Sequence, residues 1–289
     1  MEAARPVAGI APSGGIAVMS ENAIIDKAEA VTAAASAPIL SVKQLQMRFG
    51  GLMAVDNITF DVVEKEIYAI IGPNGAGKTT VFNCVSGFYK PTGGDILFGD
   101  ANIAGRTSHE IARRGIVRTF QNIRLFRNMT VVENLLVAQH TQLKTGLLQG
   151  LLNTKAYRQS EKEALERAAF WLDKVQLREV ANRGAGNLSY GQQRRLEIAR
   201  CMITKPKLLM LDEPAAGLNP QETAALDALI RDLRDTCNVS VLLIEHDMSL
   251  VMEISDRILV MEYGQPIAEG TAEQVRHDPN VIRAYLGDE

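Results

Sequence analysis

Nowhere in the 289 residues do eighteen apolar side chains run together, so no segment is long enough to cross a bilayer as a helix. Any role at a membrane therefore passes through a partner. Basic charge is not in excess either. Lys and Arg number 31 against 34 Asp and Glu, a formal charge of −3, so the electrostatic footprint of a nucleic-acid binder is missing and no such partner is expected. Cysteine is scarce: Cys84, Cys201 and Cys237 lie far apart and form no CxxC, which argues against a disulfide framework or thiolate metal site and for reduced core thiols in a cytosolic protein. No internal repeat is visible. What the chain does carry is apolar residues, 46% of the total, ample for a sizeable core.

Residues 1–38 are of another kind, rich in Ala with scattered Gly, Pro and Ser and no sustained apolar face, and are expected to be disordered. They lack the basic start and continuous apolar stretch of a secretory signal, and Glu2, Glu21, Asp26 and Glu29 argue against a transit peptide. Met19, followed by Ser20, is a candidate alternative start. From residue 39 the pattern becomes strand-like: 39–49, 57–63 and 66–72, with shorter strands near 95–98 and 115–119 and a helix from Lys78 to about Gly87. Between about Val131 and Leu177 the character is helical. Leu165, Ala168, Trp171, Leu172 and Val175 recur at helical spacing, which predicts an amphipathic helix with Trp171 in the core. KLLMLD (207–212) and VSVLLIEH (239–246) then read as buried parallel strands around a helix.

Gly72 to Thr79 fits GxxxxGK(S/T), with strand IYAII before it and helix KTTVFNCVSG after it. Glycines let the backbone wrap a phosphate and aim N–H groups at it, and the helix N-terminus adds positive potential. Lys78 is placed to reach the β and γ phosphates and Thr79 to offer its hydroxyl to Mg²⁺. A Mg²⁺–nucleotide site also needs a carboxylate for the metal's water shell and a base near the attacking water. LLMLDEP supplies both, Asp212 for the metal and Glu213 for the base. His246, at the end of the next strand, is placed for a γ-phosphate contact, since ligands of open α/β sheets sit beyond those strand ends.

A second glycine-bearing helix start, NLSYGQQRR (187–195), is harder to explain from local structure. Ser189 and Gln192 make a sound capping box. Gly191 has no role in a cap and costs about 1 kcal/mol against alanine inside a helix, so the stretch reads as a second anion site.

LSYGQ resembles the LSGGQ signature of ATP-binding cassette (ABC) ATPases, and the other marks of that family fall in order around it. The resemblance spans 39–289. It implies an α/β P-loop NTPase fold: a RecA-like parallel-sheet core, an antiparallel β subdomain, and an α-helical signature subdomain at about 122–205. It also implies that two ATPase subunits sandwich two ATPs, with Ser189, Gly191 and Gln192 contacting the nucleotide held by the partner's P-loop. On this resemblance ATP is held by Gly72, Pro73, Asn74, Gly75, Ala76, Gly77, Lys78, Thr79 and Thr80, with Phe49 stacked on adenine. Mg²⁺ is held by Thr79, Gln121 and Asp212, and the catalytic set is Glu213, His246, Gln121 and Lys78. Two departures stand out. Tyr190 replaces a signature glycine, and Asn219 stands where aspartate is common, in a sound cap series with Pro220 and Glu222.

Longer strings, among them VRTFQNIRLFRNMTVVENLLVAQ and the tail VIRAYLG, resemble the LivG-type ATPases of branched-chain amino-acid importers. This implies two integral membrane permease subunits, a second paralogous LivF-type ATPase in a heterodimer, a periplasmic binding protein acting indirectly, and a peripheral location at the cytoplasmic face of the inner membrane. NIRLFRNMT, with Leu125, Phe126 and Met129, would form part of the groove for a permease helix. A lipopolysaccharide-export ATPase is the alternative, distinguished by the segment 141–164 that it looks to lack. A soluble non-transport ABC ATPase would be expected to carry a second cassette, a long coiled coil or a basic surface, none of which is seen.

Overall fold

The computed structural model describes residues 37–139 and 155–286. The expectation of disorder for 1–38 and most of the segment 141–164 fall outside them. The chain enters through an antiparallel sheet in which β1 (Leu40–Phe49) turns through Gly50 and Gly51 into β2 (Leu52–Val62). On its other edge β1 pairs with β4 (Gly93–Phe98), which pairs in turn with the short β5 (Ala101–Asn102). The strand expected at 57–63 begins earlier, at Leu52. Its first half pairs with the far half of β1, where register shifts between Val42 and Arg48 disturb the simple alternation that marks a strand in sequence.

The second sheet has six strands in the order β10-β9-β3-β8-β7-β6. These are β3 (Ile67–Ile71), β6 (Ile116–Arg118), β7 (Leu208–Asp212), β8 (Ser240–Ile244), β9 (Arg257–Glu262) and β10 (Gln265–Gly270). Five are parallel and β10 closes the edge antiparallel. Every residue of β3, β7 and β8 is buried, as continuous apolar strands must be when both faces of a parallel sheet are covered. Alternate residues face opposite layers. Ile67, Ala69 and Ile71 pack towards the helices, whereas Tyr68 and Ile70 pack with the antiparallel sheet and with Val81 and Phe82 of α1 (Lys78–Val85).

The remaining helices are α2 (Ser108–Arg114), α3 (Val131–Gln139), α4 (Lys155–Lys174), α5 (Tyr190–Met202), α6 (Pro220–Cys237), α7 (Met248–Ile254), α8 (Ala272–Arg276) and α9 (Pro279–Leu286). Trp171 is buried on α4 as expected, with Ala168, Leu172 and Val175. Leu165 is not: it is 50% exposed, and Ala164 takes the buried place. Leu165 lies roughly 75° from the centre of the buried stripe at 100° per residue, and Ala164 much nearer it. Cys84 and Cys201 are buried free thiols, and Cys237 is half-buried. Among the described residues no helix is long and apolar enough to cross a membrane.

Candidate active site

Parallel registration sets the site. Ile70, Ile244 and Asp212 lie in one row across β3, β8 and β7, so the three chains leave the sheet at the same edge, into the Gly72 loop, His246 and Glu213. The loop after β3 needs its glycines for two reasons. Gly72 has φ +146° and Gly77 φ +97°, and a Cβ would come within 2.0 Å of Met261 O and 2.5 Å of Ala54 O respectively. No side chain caps α1 at Gly77, which leaves first-turn N–H groups free for an anion. Asn74 to Thr80 then line a cleft of about 380 Å³, together with Leu52, Met53, Ala54, Glu213, His246 and Tyr263.

Gly72 and Pro73 do not border this cleft; their carbonyls accept from Lys78 Nζ at 2.7 and 2.9 Å. Burial pulls the Lys78 ammonium below the usual lysine range, and the Glu213 charge opposes that shift.

Glu213 follows β7 directly and holds a left-handed backbone, φ +47°, with its N–H bonded to Ile244 O at 2.9 Å. That turn points the carboxylate at two side chains. Oε2 accepts from Gln121 Nε2 at 2.8 Å, and His246 Nε2 lies 2.7 Å from Oε1. The three residues picked out in sequence are thus brought together at the mouth of the phosphate loop.

Asp212 is buried at the strand end and ion-paired with Arg118 of β6 at 2.5 Å. Glu245 was not singled out in sequence. Its buried carboxylate accepts from Ala215 N at 2.6 Å and His246 N at 3.0 Å, tying the loop beyond Glu213 to the loop that bears His246. Burial pushes its pKa up, against three backbone donors that lower it. The acidic residue beside the histidine in IEHD was the only signal for it.

Phe49 stands outside the cleft lining, packed edge-on against Tyr89 with ring centroids 5.3 Å apart. Tyr263, 87% exposed, is the aromatic that borders the cleft.

Ser189, Gly191 and Gln192 also lie apart from it. The capping box is present: Ser189 N donates to Gln192 Oε1 at 3.1 Å and Gln192 N to Ser189 Oγ at 3.3 Å. Packing gives Gly191 an intramolecular reason that the cap does not. A Cβ there would sit 2.4 Å from Glu222 Oε1, and Glu222 is itself the capping-box acid of α6, accepting from Asn219 N at 3.2 Å. Asn219 is the N-cap and Pro220 the first helical residue, as expected. Tyr190 lies beside Gly217, and its hydroxyl accepts from Arg194 Nη2 at 3.4 Å.

A phosphate loop opening a parallel-sheet cleft, an acid beyond the next strand and a capped glycine helix set apart from them define an ATP-binding cassette ATPase. The sequence pattern of the ABC transporter family matches residues 55–216, and that of the branched-chain amino acid ATP-binding cassette transporters matches 265–289. The chain belongs to the ABC transporter family.

Within it, the chain is 64% identical over 253 residues to the high-affinity branched-chain amino acid transport ATP-binding protein LivG of Escherichia coli, covering 88% of this chain and 99% of LivG. It is 63% identical over the same length to BraF of Pseudomonas aeruginosa, described in the same words, again covering 88% and 99%. The ADP conformation of MJ1267, an ATP-binding cassette of an ABC transporter, superposes with a TM-score of 0.76 at 34% identity, covering 88% of this chain and all of that one. The structure of cbiO1 from Clostridium perfringens, part of the ABC transporter complex cbiONQ, superposes with a TM-score of 0.73 at 28% identity, covering 85% of this chain and 93% of that one.

Proposed function

We propose that this chain is the ATP-hydrolysing subunit of an importer of branched-chain amino acids, working at the cytoplasmic face of the inner membrane. The observation that carries the hydrolytic part is the Glu213 carboxylate held between Gln121 and His246 at the edge of the phosphate-loop cleft. The substrate class rests on the likeness to LivG and BraF over nearly their whole length.

Asn74 to Thr80 would wrap the phosphates of ATP. Lys78 gives up its two carbonyl partners for phosphate oxygens, a cation moving from neutral to anionic acceptors. Glu213 orients and deprotonates the attacking water, with Gln121 and His246 fixing its two oxygens and His246 facing the γ-phosphate.

Thr79, Asp212 and Gln121 would hold Mg²⁺, which when bound neutralises charge between the β and γ phosphates. The donor set suits that ion, since all three side chains offer hard oxygen ligands.

Ser189, Gly191 and Gln192 do not line this chain's own cleft, which accords with their facing the nucleotide of a second, LivF-type ATPase. The helical stretch of about 122–205 is read as the subdomain that carries them. Two permeases would dock on it, with a periplasmic binding protein delivering the solute to them.

The test is affinity purification of the Glu213→Gln complex from detergent-solubilised membranes with ATP and Mg²⁺. Two permeases and a second ATPase are the expected companions, with leucine uptake lost in the same strain. Lipopolysaccharide-export subunits, or no membrane protein at all, would overturn the reading.

A further inference from the structure

We propose that Arg118 is a positioning residue for Asp212: it fixes the carboxylate for the cation and links that site to both the phosphate-loop helix and the Gln121 strand. The inference rests on the reading of Asp212 as the metal-side carboxylate.

The Arg118 side chain is 7% exposed and spends its guanidinium on three acceptors. Nη2 donates to Asp212 Oδ2 at 2.5 Å, while Nη1 donates to Asn83 Oδ1 at 2.7 Å and to Ser86 Oγ at 3.0 Å. Asn83 lies on α1 and Ser86 is its C-cap, so both anchors belong to the helix that begins at Lys78. The adjacent residue, Thr119, takes the Asp212 N–H on its hydroxyl at 3.4 Å, and Gln121 follows two residues later. One side chain thus spans the phosphate-loop helix, the strand leading to Gln121 and the end of β7.

Its surroundings make the tie stiff. The guanidinium carbon lies 5.4, 5.8 and 5.7 Å from the ring centres of Phe82, Phe88 and Phe120, and Nε is buried with no acceptor. Aromatic walls lower the local dielectric, which strengthens the ion pair and penalises a carboxylate that turns away from it. A planar fork is needed. Lysine would supply the charge, but one ammonium cannot hold the carboxylate along one direction and two helix acceptors along another. With Oδ2 committed to the guanidinium, the other carboxylate oxygen is the one that would be left to serve the cation. Loss of a residue that orients a metal's ligand this way typically costs about 10- to 100-fold in metal affinity.

The test is equilibrium binding of ADP to the purified full-length chain, in EDTA and across a Mg²⁺ titration, for Arg118→Lys and, as a control, Asp212→Asn. Magnesium-free affinity should be unchanged in Arg118→Lys, while the gain on adding Mg²⁺ falls about tenfold. A folded Arg118→Lys protein with the full Mg²⁺ gain overturns the inference, as does an equal loss with and without the ion, which would mark a merely structural role. Should Arg118→Lys not fold, Asn83→Ala with Ser86→Ala removes the anchors and leaves the ion pair. The same Mg²⁺-specific loss, smaller in size, is expected there, and its absence overturns the proposal. If Asp212→Asn itself keeps the Mg²⁺ gain, it is the metal-side reading of Asp212 that fails.

Discussion

His246 Nε2 lies 2.7 Å from Glu213 Oε1, and this contact exists because Glu213 leaves its strand in a left-handed conformation, φ +47°. An ordinary extended residue there would send the side chain elsewhere. This contact and the Gln121 bond underlie the proposal that Glu213 acts on water with His246 and Gln121 as its two guides. Glu213→Gln should lower ATP turnover of the assembled transporter by about 10²- to 10⁴-fold, as loss of a general base does, while nucleotide binding is kept. Phosphate release and ADP binding on the same preparation check it. Full turnover would remove Glu213 from the mechanism.

Lys78 offers a pH signature. Burial holds its pKa below the usual lysine range, and phosphate oxygens would raise it again. Between the lowered value and that of ordinary lysine, the free protein has lost the proton and the complex has it. Nucleotide binding therefore takes up a proton and weakens as pH rises through that interval. For folding the sign is opposite: the unfolded chain binds the proton more tightly, so the empty protein gains stability as pH rises through the same interval. Calorimetry of ADP binding in two alkaline buffers of different ionisation enthalpy should show the uptake. Lys78→Arg should abolish it, since arginine stays charged.

Gly191 and Glu222 should be energetically coupled. A methyl group at Gly191 makes the Glu222 side chain shift, which weakens the Oε2 bond to Asn219 N, the acid half of the α6 cap. Gly191→Ala then trades a gain of helix propensity of about 1 kcal/mol against that weakened half of the cap. In a Glu222→Ala background only the gain remains. A double-mutant cycle by chemical denaturation should return a coupling of about 1 kcal/mol. A coupling of zero would leave Gly191 without this packing role and return it to the anion-site argument.

These relationships show which parts of the site were legible in the sequence. The phosphate loop was, because a buried strand, glycines with forced left-handed geometry and an amphipathic helix all leave local marks. The placement of Asp212 and Glu213 at a strand end was, because an apolar run stops at them, and it is the neighbouring phosphate loop that gives the two acids a reading beyond capping. The reason for Gly191 was not, since the obstructing Glu222 sits on another helix and only packing reveals it. Arg118 leaves no mark in the sequence for the same cause: its partners Asn83, Ser86 and Asp212 are distant in the chain and meet only in the fold. The misreading of Leu165 is different in kind. Adjacent residues at the edge of a helical stripe both fit the period, and packing against α3 and α5 selects the smaller one.

The stretch NIRLFRNMT carries the last prediction. Its backbone is pinned: the buried Asn134 accepts from Phe126 N at 2.9 Å and donates to Phe126 O at 3.1 Å. Yet the Phe126 ring is 48% exposed and Met129 37%, while Leu125 packs inward. Basic side chains surround them. Arg124 stacks 4.1 Å over Phe120, and Arg200 lies 5.4 Å over Phe126 and donates to Arg124 O. A rigid scaffold that presents Phe126 and Met129 together amid cations offers a partner an anchor, and a few such anchors carry most of the energy of an interface. Phe126→Ala removes a half-exposed ring and its Arg200 contact, so it should lower the stability of the isolated chain by only about 1 kcal/mol. ADP binding should be untouched, while recovery of the permeases in a pull-down is lost. Charge reversal at Arg124 or Arg127 should weaken the same association in a salt-dependent way. Unchanged permease recovery and uptake in all three variants would move the docking site off this surface.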